Sequence, residues 1–282
     1  MPKSITPIDC WPKGVRAVFT TRAPDCELVL PTVIGTSAGG SADFKGFNLG
    51  AHVGDDPTRV LAHRQALARV IGAEPFWLDQ VHGAEVLRLD TGHRAVSKNQ
   101  GMASGHAPPS VDAVITDQQG LAACIMAADC LPVLAATADG GWVGAAHAGW
   151  RGLSLGVLEN LLQSLIDAQP ASQELAVWLG PCIGPQAFEV GAEVRDAFVA
   201  DASSAASRFR PSPWHEHRFV ADLPGMARDR LARLGVHQVW GNDGSDDWCT
   251  VTQSQRFFSH RREGQTPGHP AGTGRMAAII WR

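Results

Sequence analysis

The fold is decided by residues 111–152, which read VDAVITDQQGLAACIMAADCLPVLAATADGGWVGAAHAGWRG. Three short apolar runs in this stretch, VDAVIT, LAACIMA and WVGAAH, are separated by Gly, Asp or Pro, which is typical of buried β-strands. Similar runs occur before and after it: VRAVFT at 15–20, FWLDQV at 76–81, VWLGPCIG at 177–184, HQVWG at 237–241 and MAAIIW at 276–281. We therefore predict a central sheet that is largely buried.

Helices are predicted on either side of this stretch. Asp56 is an N-cap residue type and Pro57 suits the first helical position, so one helix begins there. After Trp150, leucines and an isoleucine recur at i, i+3, i+4, i+7 and i+8 over residues 158–166, and a further helix is predicted around 224–234. Strands and helices mix without a regular βαβ order or a repeat, which indicates one α+β domain over 1–282 with loop insertions at 26–46 and 93–110.

Composition excludes several classes of protein. The net charge of −4 and pI of about 6.2 provide no global basic field for nucleic acid or an anionic membrane. No apolar run is long enough to span a bilayer, and the N-terminal residues lack the apolar core of an export signal. Six scattered cysteines do not resemble a disulfide framework, so we expect reduced thiols and a cytoplasmic location. The absence of tyrosine excludes a tyrosine acid, base or radical.

Three segments place a metal-binding residue type beside glycine or at the end of an apolar run. They are DQVHG with His82, MAADC with Cys130 and AAHAGWRG with His147. Two imidazoles and one thiolate supply three positions of a tetrahedral zinc site and leave the fourth open, as in catalytic sites. The same ligands also suit copper. A nucleophile–base pair of Cys130 and His147, assisted by His82, is an alternative that the residues alone leave open.

Seven motifs, in order along the chain, resemble the YfiH-type family from about residue 15 to residue 282. They are NLGAHVGDDP at 48–57, DQVHGAEV, DAVITDQQGLAACIMAADCLPVL, GAAHAGWRG, LGPCIGPQAFEVG, FFSHRREG and TGRMAAIIW. This family was first called multicopper polyphenol oxidoreductase, or laccase-like, and is now regarded as a purine nucleoside phosphorylase family. The resemblance implies zinc at His82, Cys130 and His147, the residues that the chemistry also favours.

The resemblance also implies a fold and a set of activities. The implied fold is a single-domain α/β sandwich with a central mixed sheet, related to the deamidase domain of cytotoxic necrotising factor, which uses a Cys–His pair. The implied reactions are phosphorolysis of adenosine, guanosine, inosine and methylthioadenosine, and hydrolytic deamination of adenosine. Some bacterial members are instead linked to the editing of peptidoglycan precursors.

Charged residues in the motifs are candidates for catalysis and phosphate binding. Asp129 could protonate the amine that leaves in deamination, or it could accept backbone N–H bonds at a turn. Arg151 lies at the predicted N-terminus of the helix after Trp150, where a guanidinium and a helix end both favour phosphate. Arg261 and Arg262 form a second basic cluster and are predicted to bind substrate.

Two further residues are predicted to contact the nucleoside. Asn48 could hydrogen-bond it through its amide, and Phe258 could stack on the base. His52 is expected to be structural, and the WHEH segment at 214–217 is expected to be exposed to solvent. After TTR at 20–22 the chain departs from the glycine-rich turn of the family, and QTPGHPAG at 265–272 is a second insertion, so substrate specificity can differ here.

Three competing functions make different predictions. A multicopper laccase needs about ten histidines, largely in HxH pairs, whereas this chain has 11 histidines and a single HxH at 215–217, so we reject it. A Cys–His hydrolase acting on peptidoglycan precursors predicts activity without metal. A non-catalytic purine-binding protein predicts binding without turnover. The preferred nucleoside and the oligomeric state are left open by the sequence.

Overall fold

The computed structural model describes residues 4–22, 44, 46–99, 107–172, 174–264 and 272–282. The strands in this part of the chain are β1 (Ile5–Pro7), β2 (Arg16–Thr20), β3 (Glu74–Phe76), β4 (Val86–Leu89), β5 (Ala113–Thr116), β6 (Leu121–Ala127), β7 (Leu131–Thr137), β8 (Val143–Ala148), β9 (Leu175–Leu179), β10 (Glu189–Val190), β11 (Phe209–Pro211), β12 (Phe219–Ala221), β13 (Gln238–Gly241) and β14 (Met276–Trp281). The α-helices are α1 (Pro57–Ile71), α2 (Thr91–Asn99), α3 (Trp150–Ser154), α4 (Val157–Ala168), α5 (Ala192–Asp201), α6 (Leu223–Arg233) and α7 (His260–Gly264).

Two mixed sheets form the centre of the molecule. One has the order β1-β2-β14-β6-β3, with only β3 and β6 parallel, and the other has the order β13-β9-β7-β8-β5-β4, with parallel pairs at its two edges. The strands β10, β12 and β11 form a separate, small antiparallel sheet in that order. The motif-rich stretch at 111–152 supplies strands to both large sheets.

The two large sheets face each other across a shared apolar layer. Ile125 and Ile280 of the five-stranded sheet are buried in the same cluster as Leu134 and Val143 of the six-stranded sheet. Because side chains alternate along a strand, the neighbours of Ile125 and Ile280 point to the opposite face of their sheet. Every residue of β6, β7 and β8 is buried, because both faces of these strands are covered. Strands in such positions have nearly continuous apolar sequences.

Helices cover the outer face of each sheet. Leu67 and Ile71 of α1 share a buried cluster with the outward-facing residues of β6 and β14. On the other side, α4 packs against the six-stranded sheet through residues that include Leu161, and α5 and α6 add Phe198 and Leu231 to the same buried cluster. A Cβ atom on Gly144 of β8 would lie 2.9 Å from Leu161 Cδ1, so α4 packs closely on the strand that carries His147. The predicted α/β sandwich is confirmed, with two facing sheets as its central layer.

The predicted helices are confirmed, with one interruption. The Asp56 carboxylate accepts the N–H groups of Thr58 and Arg59 at the start of α1, and Gly72 ends that helix with a φ of 67°. The helix predicted after Trp150 consists of two pieces, α3 and α4, divided at Gly156, whose φ of 90° is incompatible with a continuous helix.

The predicted loops and one predicted strand have different outcomes. Residues 91–99 form α2, so the segment at 93–110 begins with a helix rather than a loop. The insertion predicted at 26–46 lies almost entirely outside the described residues, as does most of QTPGHPAG. FWLDQV contributes only its first residue to β3, and the remainder is the turn that leads to His82. No helix in the described ranges is long and apolar enough to cross a membrane.

Candidate active site

His82, Cys130 and His147 meet at one edge of the sandwich. His82 lies in the segment between β3 and β4, Cys130 directly precedes β7, and His147 is the penultimate residue of β8. One ligand atom from each residue lies within 4.8 Å of those of the other two. The predicted trio is therefore assembled from three separate segments, with His147 buried and Cys130 half-buried.

The distances within the trio fit a tetrahedral zinc ion. Cys130 Sγ lies 3.8 Å from His82 Nε2, and the two imidazole rings are 4.8 Å apart between centroids, at 72° to each other. A tetrahedral ion with ordinary Zn–S and Zn–N bonds separates its sulfur and nitrogen ligands by about 3.6 Å. Because only small movements are needed to complete this geometry, the trio is a candidate metal site, and its donor set also accepts copper.

The pKa values of Cys130 and His147 favour a thiolate–imidazolium pair when no metal is bound. Burial alone would raise the pKa of Cys130, but the His147 imidazolium and hydrogen bonds from both histidines outweigh it and lower this pKa to about 6. Burial alone would lower the pKa of His147, but the Cys130 thiolate and the Asp112 carboxylate outweigh it and raise this pKa to about 9. The same pair is the arrangement expected for the nucleophile–base alternative.

Asp129 fixes the turn that presents Cys130. It has a φ of 90°, a conformation that residues other than glycine rarely adopt. Its carboxylate accepts hydrogen bonds from the Thr250 hydroxyl and from the Arg261 amide, at 2.6 Å in the second case. Its carbonyl oxygen accepts the N–H of Ile183 at 2.8 Å. These contacts favour the turn-stabilising role over proton donation, and they bring Arg261 beside the metal site.

A cleft of about 420 Å³ opens onto the trio. Its walls combine the three candidate ligands with aromatic, cationic and acidic side chains. The lining residues outside the trio that matter for chemistry are His52, Asp79, Gln80, Asp129, Trp150, Phe188, His260, Arg261 and Arg275. One cleft therefore offers a candidate metal site, flat apolar surfaces and positive charge within a space of nucleoside size.

The positive charge comes chiefly from Arg261 and Arg275. Arg261 donates to the carbonyl of Glu189 at 3.1 Å, and its guanidinium carbon lies 5.8 Å from the centroid of the Phe188 ring. Arg275 donates to the carbonyl of Thr273 at 2.7 Å, and burial lowers its pKa. A dianion in the cleft would find both guanidinium groups already held by the chain.

Two of the predicted phosphate-binding arginines lie elsewhere. Arg151 is exposed on α3, outside the described lining of the cleft, and its guanidinium carbon lies 4.5 Å from the centroid of the Trp150 ring. Arg262 donates to the carbonyl oxygens of Thr250, Val251 and Phe257, so it holds the main chain together. Of the three arginines predicted from the sequence, Arg261 is the one that lines the cleft. Arg262 is its neighbour on the short helix α7, and the two side chains point in different directions.

The two residues predicted to contact the nucleoside directly are buried. The Asn48 amide group donates to Asp55 at 2.8 Å, and its oxygen accepts the N–H groups of Gly50 and Arg275. The fully buried ring of Phe258 packs where a Cβ on Gly274 would lie only 2.5 Å away, so it cannot stack on a base. Asn48 instead holds the backbone amide of Arg275, which lines the cleft.

Several cleft residues have no chemical signature in the sequence. His52, expected to be structural, lines the cleft, where burial and then the charges of Arg275 and Arg64 lower its pKa. Gln80 pairs with both backbone groups of Met126 at the end of β6, at 2.8 Å each. These residues lie within the motifs quoted above, but isolated histidine and glutamine residues carry no spacing that indicates a site.

These features define a class of protein, a two-sheet α/β sandwich with a His–Cys–His site at the edge of its strands. A family model described as multi-copper polyphenol oxidoreductase laccase matches residues 32–282, and the chain belongs to this family. The chain is 40% identical over 283 residues to the purine nucleoside phosphorylase YfiH of Escherichia coli K12, covering 100% of this chain and 99% of that protein. It is 42% identical over 277 residues to a purine nucleoside phosphorylase of Pseudomonas aeruginosa, covering 98% and 97%.

Solved structures of related proteins have the same fold. A Neisseria meningitidis protein, 34% identical, matches with a TM-score of 0.77 over 99% of both chains. YlmD from Geobacillus stearothermophilus, 28% identical, matches with a TM-score of 0.78 over 96% of this chain and 92% of that one. The predicted resemblance to the YfiH-type family is thus confirmed.

Proposed function

We propose that this protein is a zinc-dependent purine nucleoside phosphorylase that also deaminates adenosine. The observation that carries the proposal is one cleft in which the His82–Cys130–His147 trio meets aromatic rings and two arginines. The names of the full-length relatives support the phosphorylase reaction. The proposed substrates are adenosine, guanosine, inosine and methylthioadenosine, together with phosphate.

Zinc would be held by Nε2 of both histidines and by the Cys130 thiolate. When bound with three protein ligands, zinc supplies a Lewis acid with one exchangeable position. His147 is already oriented for this role, because its Nδ1 lies 2.8 Å from Asp112 and its Nε2 is left for the metal. Since copper binds similar ligands, the metal content of the purified protein is part of the test.

Phosphorolysis places two demands on the residues of the cleft. A phosphate oxygen forms a bond to C1′ of the ribose while the C1′–N9 bond breaks, so phosphate must be held close to the sugar. Arg261 and Arg275 supply charge-assisted hydrogen bonds for this anion. The purine takes the electron pair of the broken bond and a proton, and Phe188 and Trp150 offer ring surfaces on which it can stack.

Deamination acts on C6 of the purine instead of C1′ of the ribose, and its nucleophile is water instead of phosphate. Water adds at C6 and ammonia leaves, so an acidic group must supply a proton to the departing amine. The carboxylates that line the cleft are Asp79 and Asp129, and Asp129 is adjacent to Cys130. Asp129 is therefore the candidate acid, although its hydrogen bonds favour the turn-stabilising role.

A product assay tests the proposal. Adenosine, guanosine, inosine and methylthioadenosine would each be incubated with and without phosphate, using zinc-loaded protein, metal-stripped protein and Cys130→Ala. We expect phosphate-dependent release of the free base, about one zinc per chain, and loss of turnover in the stripped protein and the variant. Release of inosine from adenosine without phosphate would report the deaminase reaction. No turnover of any nucleoside by zinc-loaded protein would overturn the proposal.

A Cys–His hydrolase that edits peptidoglycan precursors is the second candidate. It is favoured by the lowered pKa of Cys130, which makes its half-buried thiol a good nucleophile beside His147. This candidate predicts turnover by metal-stripped protein and loss of turnover after thiol alkylation. A purine-binding protein without catalysis would bind nucleosides in the same assay and release no product.

The free thiols bear on the cellular location. The cysteines at 10, 124, 130, 182 and 249 are free in the structure. Free thiols persist in reducing compartments, and a zinc thiolate needs a reduced cysteine. We therefore propose that the protein works in the cytoplasm.

A further inference from the structure

The carboxylate of Asp112 joins the two histidines of the trio. Its Oδ2 accepts the backbone N–H groups of Val81 at 3.1 Å and Gly83 at 2.7 Å. Its Oδ1 accepts the backbone N–H of His82 at 2.9 Å and lies 2.8 Å from Nδ1 of His147. In addition, the Asp112 carbonyl accepts the backbone N–H of His147 at 2.8 Å.

This carboxylate is fully buried just before β5, between the segments that carry the histidines. A buried charge is tolerated only where donors surround it, and three successive amides that converge on one anion form such an environment. All four donors to the Asp112 carboxylate come from His82, from its two neighbours or from His147. The side chain is thus devoted to the segments that hold the metal ligands.

Each histidine depends on Asp112 in a different way. His82 has a φ of 62°, which residues other than glycine rarely adopt, and the three amide hydrogen bonds hold the chain in that turn. His147 depends on Asp112 through its ring. In the neutral imidazole, the proton on Nδ1 is donated to the carboxylate, so Nε2 carries no hydrogen and is free to bind a metal. A single side chain thereby sets the backbone of one ligand and the tautomer of the other.

We propose that Asp112 is a positioning residue that sets both histidine ligands of the metal site at once. The inference rests on the metal-binding part of the proposed function and is independent of nucleoside turnover. It requires that zinc affinity respond to the chemistry of residue 112 although Asp112 itself is not a ligand.

The variant Asp112→Asn separates positioning from a general effect on folding. An amide has one acceptor oxygen and one donor group. It can accept either the donors at the Oδ1 position, His82 N–H and His147 Nδ1, or those at the Oδ2 position, Val81 N–H and Gly83 N–H, but not both sets. If the amide NH2 group faces His147, Nδ1 becomes an acceptor and the proton moves to Nε2, the atom needed for zinc. We expect zinc affinity to fall by about 10- to 100-fold, as for other partners of metal-bound histidines.

The measurements use zinc as the only ligand. Dissociation constants would be obtained by chelator competition. The protonated nitrogen of His147 would be read from nitrogen-15 spectra of the zinc-free protein at a pH well above the His147 pKa of about 9, where the imidazole is neutral. Asp55→Asn is the matched control, because Asp55 is buried and accepts backbone and side-chain hydrogen bonds without touching a ligand of the trio. We expect it to lower the melting temperature and leave zinc affinity and the His147 proton unchanged.

A second variant covers the case in which Asp112→Asn does not fold. Asp112→Glu keeps an acceptor without a donor, so it should retain the proton on Nδ1 of His147 while the longer side chain weakens zinc binding. Wild-type zinc affinity in folded Asp112→Asn, or a neutral His147 imidazole protonated on Nε2 in Asp112→Glu, would overturn the proposal. Because no nucleoside is used, either result is independent of whether the protein is a phosphorylase.

Discussion

Gly149 lies against Cys130 so closely that a Cβ atom on the glycine would be 2.9 Å from the cysteine Sγ. The same Cβ would lie 3.0 Å from Cδ2 of His82, so two candidate ligands occupy the space beside this glycine. Gly152, one turn later, is similarly confined, with its Cβ position 2.8 Å from the carbonyl oxygen of Gly83. The glycines of the HAGWRG motif thus allow the start of α3 to approach the metal site.

Gly149→Ala should therefore damage the metal site more than the fold. Both ligands must move by several tenths of an ångström, and strain of about 1–3 kcal/mol is typical when a methyl group is forced into a packed site. We expect zinc content well below one ion per chain and at least a tenfold loss of turnover. Metal analysis of the purified variant and a nucleoside assay would check this.

Gly264→Ala is the control for that substitution. No atom of the described residues lies within 4 Å of the position where its Cβ would be, and it is the last residue of α7. We expect wild-type zinc content and a melting temperature that is unchanged or slightly raised. Equal zinc content in Gly149→Ala and Gly264→Ala would mean that the close approach of Gly149 has no role in metal binding.

Arg261→Ala should weaken phosphate binding selectively. Its guanidinium lines the cleft, and a hydrogen bond to a charged group contributes about 1.5–3 kcal/mol, which corresponds to roughly 10- to 100-fold in affinity. We expect the KM for phosphate to rise by about that factor, with a smaller change in the KM for inosine. Steady-state kinetics with phosphate as the varied substrate would measure both.

Arg151→Ala is the matched variant, because Arg151 is exposed outside the described lining of the cleft. Its KM for phosphate should stay within about twofold of the wild-type value, as expected for a surface charge. A larger effect at Arg151 than at Arg261 would favour the prediction made from the sequence over the placement seen in the structure.

Phe188→Leu and Phe258→Leu should separate stacking from packing. Phe188 lines the cleft, so losing its ring should raise the KM for a purine nucleoside several-fold, since a ring contact contributes about 1 kcal/mol. Phe258 is fully buried away from the cleft, so its replacement should lower the free energy of unfolding by about 1 kcal/mol and leave this KM unchanged. Kinetics and denaturant unfolding of both variants would provide the comparison, and a raised KM in Phe258→Leu alone would contradict it.

The candidate metal ligands could be identified from the sequence because their signal is local. His82, Cys130 and His147 each combine a metal-binding side chain with a glycine or the end of an apolar strand, and strand ends commonly present functional residues. The helices at 57–71 and 223–233 were also accessible, since caps and apolar spacing are local properties. The contacts between these elements join residues that are distant in sequence, and the predictions of those contacts were less complete.

Residues whose role depends on distant contacts could not be predicted in this way. Phe258 lies in the otherwise largely polar stretch TQSQRFFSHRREG, but it packs against Gly274 on the approach to β14. Asp112 directly precedes an apolar strand and carries no motif of its own, although it accepts hydrogen bonds from residues 30 and 35 positions away. The sequence also does not indicate which strands belong to which sheet, because a strand that is buried on both faces is apolar in either sheet.

The pH dependence of thiol alkylation should report the Cys130–His147 pair in metal-free protein. The pKa of Cys130 is lowered from 9.0 to about 6, mainly because the His147 imidazolium favours the thiolate and outweighs the effect of burial. The thiolate is the reactive form, so the alkylation rate should be half-maximal near pH 6 and almost constant from pH 7 upward until His147 loses its proton near pH 9. Peptide mass spectrometry after iodoacetamide pulses would follow each cysteine separately.

Three comparisons test the cause of this reactivity. Cys10 is also half-buried, but burial raises its pKa, so its rate should rise only at high pH. His147→Gln removes the imidazolium and leaves the desolvation, so the half-maximum for Cys130 should move upward and its rate at pH 7 should fall at least tenfold. Zinc should protect Cys130 and not Cys10, because the metal occupies the sulfur lone pair that attacks the reagent. A half-maximum near pH 9 in the metal-free protein, unchanged in His147→Gln, would show that the two side chains do not form an ion pair.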